Sequence, residues 1–419
     1  MSSSRSLAVA FDVGTTTIAA SLVDPASAAR LAVTGALNPQ RPWGADVLAR
    51  LTAAADPEAL SAMKGALALE MEHMAEELLG KAGAEPDHLV SVAVAANPAM
   101  EHIALGLPVA SLAYPPFRPL FSQGRNATTL DLGWRRAIPA YLFPLPGGFV
   151  GGDLVAFLFG LGDEATPGSL YLDMGTNAEM ALFDGERFLA TSAAAGPAFE
   201  GGNLSCGMSA LPGAVSSVTI EGERLRIRTI GGAPACGICG SGVLDAVAAL
   251  LAAGVIDRTG RLLPAAEIPS NLGNRVQEVD GTRAFVLHRD ARRLVYVSQD
   301  DIRALQLAKG ALRGGMEILL QKGGLSLDDL AEVVLTGSFG AVLSPEMLKN
   351  VGIFSENMVK ISGFVREGAL AGVERLLMEA DGAAKVETLA ARIRVIPLSG
   401  TPLFEQRFLA NIDFPEKQA

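Results

Sequence analysis

Two aspartates at the ends of apolar runs keep the same company. Asp12 stands in "FDVGTTTIAASLVD" and Asp173 in "LDMGTNAEMALFDG"; each is followed, after one residue, by Gly-Thr and then by a second apolar run that closes on another Asp. A strand that ends in Asp-x-Gly-Thr and reverses gathers backbone N–H groups and hydroxyls around a tight turn, which is the chemistry of an anion site. Gly14 and Gly175 let the backbone approach a bulky anion. Thr15, Thr16, Thr17, Thr176 and Asn177 bring hydrogen-bond donors for phosphate oxygens. Like charge keeps Asp12 and Asp173 off the phosphate itself, so their place is beside Mg2+, through its water shell. One such turn is an ordinary reversal; two with matched flanks predict a duplicated nucleotide-binding hairpin.

Further candidates lie at glycine turns. Thr336-Gly337-Ser338-Phe339-Gly340 follows an apolar strand and suits close approach to adenine and ribose, although a plain strand-to-helix turn reads alike. Asp153, in "GGDLVAFL", is a third metal candidate. Glu200, in "GPAFEGGNLSCGM", either positions an attacking or metal-bound water or caps the following turn. Asp245 is either a cleft carboxylate or one favoured by a helix start. Cys236 and Cys239 have the spacing of two metal ligands, but Cys239 falls in a glycine loop where packing is the competing role; Cys206 reads as a small buried residue. Asn97 and His102 stand where they can line a cleft or partner face, against a structural role for the histidine, while His73, His88 and His288 have no ligand spacing.

These residues need elements to position them. Residues 7–24 and 169–189 read as β-hairpins. Residues 57–82 repeat apolar positions at helical spacing, with Gly83 as the stop. Residues 89–97 predict a buried strand followed by a short helix, and 111–146, rich in proline and polar turns, a connection outside the core. Residues 146–162 read as a domain join whose helix opens at Gly152-Asp153. A glycine-loop helix is expected over 239–256 with Ser241 as cap, and a long amphipathic helix over 298–324 with Ser298 as cap. A buried strand then leads into the turn at 336–340, and 393–400 repeat that pattern. The order implies two α/β domains, 1–148 and 149–419, from the duplication of a whole domain.

Composition limits the function. At 419 residues, with 49% hydrophobic and 19% charged residues, the chain supports two globular domains. A net charge of −11 argues against broad binding to nucleic acid or to an anionic membrane surface. The opening "MSSSRSLAVAFDVG" has no signal-peptide pattern and no apolar run is long enough to span a bilayer, so a cytoplasmic protein is expected. Three cysteines do not make a disulfide framework.

Together the two hairpins, two glycine-opened helices and the glycine turn resemble the actin, sugar-kinase and heat-shock-chaperone ATPase fold, in which two duplicated α/β domains close over Mg-ATP. The chain is still more similar to the C-terminal ATPase region of the reductive activators of corrinoid-dependent enzymes. That resemblance is carried by "NPQRPWGADVLARL", "GGDLVAFL", "YLDMGTNAEMAL", "SAAAGPAFEGGNLSCGMSALPGAV", "ICGSGVLDAVAALL", "DIRALQLAKGAL", "VVLTGSFG" and "PLSGTPLFEQRFL". It implies an ATPase that binds a corrinoid protein of a methyltransferase system and couples ATP to the reduction of Co(II) to Co(I). Such activators usually carry an iron–sulfur domain. With three cysteines and no ferredoxin spacing, no iron–sulfur cluster is expected here, and the electron is expected from a separate reductase or ferredoxin. The family also makes a homodimer plausible. A small-molecule kinase of the same fold is the alternative, and "AANPAMEHIALGL" departs from the family's usual Gly-Asn-Thr before Met-x-His.

Overall fold

Strands such as Leu-Ala-Val-Ala-Phe, apolar at every position, bury on both faces and so belong in the middle of a sheet. The computed structural model describes residues 6–162, 165–337 and 343–415. The chain first forms β1 (Leu7–Val13), β2 (Thr17–Asp24), β3 (Ala29–Leu37), α1 (Val47–Ala53), α2 (Pro57–Lys81), β4 (Leu89–Ala96) and α3 (Pro98–Leu105). A single turn α4 (Ala110–Ala113), β5 (Arg125–Thr128), β6 (Pro139–Leu142) and α5 (Gly152–Gly160) follow. Next come β7 (Ser169–Met174), β8 (Ala178–Phe183), β9 (Phe188–Ala193), β10 (Ala214–Glu221), β11 (Arg224–Thr229), β12 (Gly237–Ile238) and α6 (Gly240–Ala252). After β13 (Val276–Val279), β14 (Thr282–Arg289) and β15 (Leu294–Ser298) the long α7 (Gln299–Gly323) leads to β16 (Glu332–Thr336). The last elements are α8 (Pro345–Asn350), α9 (Glu356–Ile361), β17 (Ser362–Phe364), α10 (Gly368–Met378), α11 (Gly382–Ala390), β18 (Ile393–Val395) and α12 (Pro402–Ala410).

Two compact units arise, and neither is one stretch of chain. The first runs to Pro167 and adds Phe183–Thr191 and Glu367–Ile396; the second holds Gly168–Leu182, Ser192–Arg366 and the segment from Pro397. The boundary at 148/149 therefore falls inside the first unit.

In the first unit the sheet order is β3-β2-β1-β4-β6-β5. β1 pairs antiparallel with β2 and parallel with β4. The prolines of 111–146 do not keep that stretch out of the core: β6 pairs parallel with β4, and Leu142, Phe143 and Leu145 are fully buried. The strand is only four residues long and is entered at Pro139, so its local signal is that of a loop. Helices α5 and α10 pack on each other and α10 also covers β1, β2 and β4. A Cβ on Gly372 would collide with the Ala156 carbonyl oxygen, so the two helix backbones meet only because that residue is glycine. α10 is further tied down by Glu374, which accepts from Ser21 and pairs with Arg30 Nε at 2.6 Å.

In the second unit β7 lies between antiparallel β8 and parallel β16, with β17 beyond β16. Two smaller sheets, β11-β10-β12 and β13-β14-β15, complete the strands. Ser298 caps α7 in a reciprocal capping box with Asp301, as its spacing predicts. Ser241 is not the cap of α6: Cys239 holds that position without a side-chain bond, and Ser241 donates instead to Ser216 O at 3.2 Å.

Register makes the duplication explicit. Asp12 stands opposite Ala95 of the parallel neighbour, one residue before that strand ends; Asp173 stands opposite Thr336, the last residue of its own parallel neighbour. Each aspartate thus marks the carboxyl edge of a central strand, where α/β sheets bind ligands.

Candidate functional site

The turn after β1 is built to be close. A Cβ on Gly14 would lie 2.8 Å from Thr17 O, so only glycine fits. Asn38 holds the turn from outside: its Nδ2 donates to Gly14 O at 2.8 Å and its backbone N–H to Thr16 O at 2.9 Å. Asn97, at the end of β4, donates from Nδ2 to Thr15 Oγ1 at 3.0 Å and accepts from the Met100 N–H, capping α3. Thr15 is buried and its hydroxyl is an acceptor here, with its own proton left to give. Asp12 and Thr16 are half-buried and Thr17 is exposed.

The second hairpin repeats the theme within its own unit. Gly175 N–H donates to Asn177 O at 3.1 Å, closing the turn around Thr176, which is buried. Asp173 is paired across the hairpin with Glu179, so two carboxylates share one face of the sheet; Glu179 also accepts from Ser192 Oγ at 3.0 Å. Gly337 comes up against this hairpin with φ +116°, and a Cβ there would meet Met174 O at 2.5 Å and Asp173 Oδ1 at 3.0 Å. The adenosine-turn candidate thus begins in contact with the second aspartate. Ser338, Phe339 and Gly340 lie outside the described residues, as does the side chain of Glu200, whose backbone ends the 3-10 turn Pro197–Glu200.

Beyond β4 the first unit holds a carboxylate that sequence reasoning passed over. Glu101 of α3 is 0% exposed, and neither carboxylate oxygen has a hydrogen-bond partner. Burial first, then the charge of Asp153, push its carboxyl well above the usual range. Asp153, half-buried at the start of α5, accepts from the Leu154 N–H at 2.8 Å; burial pushes it up to about 6. The available signal was a lone charge in the otherwise apolar run "PAMEHIAL".

Other candidates resolve into structure. His102 is fully buried, with Nδ1 against Pro98 O at 2.8 Å and Nε2 accepting from Leu120 N–H at 3.1 Å. Its ring stacks on Phe121 at 5.6 Å. Asp245 accepts from Val218 N–H of β10. The thiols diverge: Cys206 faces Leu294 O, Cys236 Met208 Sδ and Pro212 O, Cys239 Val215 O and Ser241. Among the described residues no group of three or more His, Cys, Asp or Glu is placed to hold a metal, and no helix is long and apolar enough to cross a membrane.

Comparison with known proteins agrees with this architecture. Residues 168–419 match the family described as the C-terminal domain of RACo, the ASKHA domain, and residues 7–162 match the RACo middle region. The chain is 28% identical over 421 residues to the corrinoid activation enzyme RamQ of Eubacterium limosum, covering 97% of this chain and 70% of that protein. It is 28% identical over 270 residues to a Methanosarcina barkeri protein named as a Co(II) methylated amine-specific corrinoid protein reductase, covering 59% of this chain and 46% of the relative. Among solved structures, a reductive activator for a corrinoid, iron–sulfur protein superposes with a TM-score of 0.87 at 27% identity, over 99% of this chain and 67% of that one. With an actin-like ASKHA domain matched over more than half its length and the middle region before it, the chain belongs to the RACo family of corrinoid-protein activators.

Proposed function

We propose that this chain is an ATP-driven activator of a corrinoid protein, returning cobalt from Co(II) to Co(I). One electron is added per cobalt, from a separate reductase or ferredoxin, while ATP and water become ADP and phosphate. The observation that carries the reading is the likeness to a corrinoid activation enzyme along 97% of the chain. The residues present fit a magnesium nucleotide: Gly14 and Gly337 leave no room for a Cβ where the backbone must approach, and the donors beside them are oxygens suited to a hard cation. In this reading Gly14, Thr15, Thr16, Thr17, Gly175, Thr176 and Asn177 take the phosphates, and Asp12 and Asp173 order the magnesium's water shell. The turn starting at Gly337 takes the adenosine, and Glu200 orients water. Bound nucleotide supplies the free energy that the reduction lacks; the chain transmits it only through unequal affinity for the partner in its nucleotide states.

The test is the visible spectrum of a Co(II) corrinoid protein mixed with this chain and Ti(III) citrate, with and without Mg-ATP. ATP-dependent Co(I) is the expected result. Steady ATP turnover without Co(I) would overturn the reading in favour of a small-molecule kinase. Asp12→Asn and Asp173→Asn are each expected to lower turnover roughly 10- to 100-fold, as loss of an outer-shell metal partner does.

A further inference from the structure

The largest fully buried side chain among the described residues is a charged one, Arg50 of α1. Its Nε donates to Gly44 O at 3.0 Å and its Nη1 to Met100 Sδ at 3.4 Å, while Nη2 has no partner. Among the described residues no carboxylate is bonded to it. Burial, then the like charge of Arg41, lower its pKa to about 10, so the guanidinium is still charged at neutral pH. Asp46 opposes them only from the surface: it is exposed and accepts from the Ala49 N–H at 2.8 Å as the cap of α1. Met100 joins this cation to the first hairpin. Its sulfur also takes Asn38 Nδ2 at 3.6 Å, the same amide that donates to Gly14 O, and its N–H donates to Asn97, the residue that holds Thr15. The guanidinium therefore stands one methionine and two amides behind the Gly14-Thr15 turn, within the first unit.

A thioether and one carbonyl are weak compensation for a full charge taken out of water, and a buried charge without a counter-charge is costly. Its field, however, is little screened by protein or salt and reaches the turn in front of it. An anion arriving at that turn supplies the missing counter-charge. We infer that Arg50 is a positioning residue for the phosphates: without touching them, its charge holds the Gly14-Thr15 turn at positive potential and favours the more anionic nucleotide. Mg-ATP carries one more negative charge than Mg-ADP, so the guanidinium favours the first over the second. The inference rests on reading this turn as the phosphate site and adds to it a preference for ATP over ADP.

The measurement is calorimetric titration of the full-length protein with Mg-ADP and with Mg-AMPPNP, which stands in for ATP without being hydrolysed. Arg50→Met, which keeps bulk and removes charge, is expected to weaken AMPPNP about 10-fold and ADP about 3-fold, in proportion to their charges. Arg50→Lys, which keeps the charge, is expected to hold both affinities within about 3-fold of wild type. Arg50→Gln, neutral and still able to donate to Gly44 O, is expected to match Arg50→Met and gives the same reading if the methionine variant does not fold. Without nucleotide, the neutral variants are expected to melt no lower than Arg50→Lys, because removing an unpaired buried charge costs no pairing. A guanidinium that only fills the core would instead lower the melting temperature and leave the ratio of the two affinities unmoved. Wild-type affinities in a neutral variant, or equal losses for both nucleotides, overturn the inference and leave the phosphate site standing. Failure of wild type to bind either nucleotide overturns the phosphate site and the inference with it.

Discussion

His102 does its work through two hydrogen bonds of opposite sense. Nδ1–H donates to Pro98 O in its own helix, so Nε2 is the bare nitrogen that accepts from Leu120 N–H. A second proton would set donor against donor. Burial lowers the histidine's affinity for that proton, outweighing the Pro98 carbonyl, which raises it. The unfolded chain, with an ordinary value of 6.5, therefore binds more protons than the folded chain just below that pH. The stabilisation is complete above about pH 6.5 and is lost as pH falls through the lowered folded value. Hydrogen exchange of the Leu120 amide is expected to quicken from ~pH 7 to ~pH 5, beyond the intrinsic pH effect, and to lose that dependence in His102→Gln. The same acid response in the variant would end the idea. At this scale the sequence was legible where a residue acts through its neighbours in the chain, as Ser298 does in its capping box. Glu101 was not, because its significance comes from Gly152 and Asp153, about fifty positions away.

Elements with strong local signals were readable: the hairpins β1–β2 and β7–β8, the 25-residue α2 from its helical spacing, and α7 with its Ser298 cap. β5 and β6 were not, since strands of four residues among prolines gain their stability from the sheet they join. The α5–α10 contact is of the same kind: nothing near residue 372 announces that the Ala156 carbonyl will lie against it. Gly372→Ala is expected to force the helices apart and destabilise the first unit by roughly 1–3 kcal/mol, the usual cost of overpacking. A melting temperature within a degree or so of wild type would show that the contact relaxes without cost. The exposed control Gly363→Ala, where a Cβ meets nothing within 4 Å, is expected to change little.

On the scale of the whole molecule, the first unit is finished only when residues 367–396 have been made. The single cut at 148/149 suggested by the repeat is a statement about duplication, and compactness follows a different line through the chain. Residues 1–167 alone lack α10 and leave the faces of β1, β2 and β4 that it covers open to water. That fragment is expected to be poorly soluble and to bind a hydrophobic dye, and addition of a 367–396 peptide is expected to reduce the dye signal. A fragment that unfolds cooperatively by itself would refute this dependence.

Phe11, one residue before Asp12, meets the edge of Trp134 at 6.0 Å and 87°. The chain has two tryptophans, Trp43 and Trp134, and both belong to the first unit. Indole emission is therefore a built-in optical probe of the first unit, and through Trp134 of the strand that carries the first aspartate. A ligand whose arrival quenches or shifts it has been felt in that unit, and the event can be timed without attaching a label.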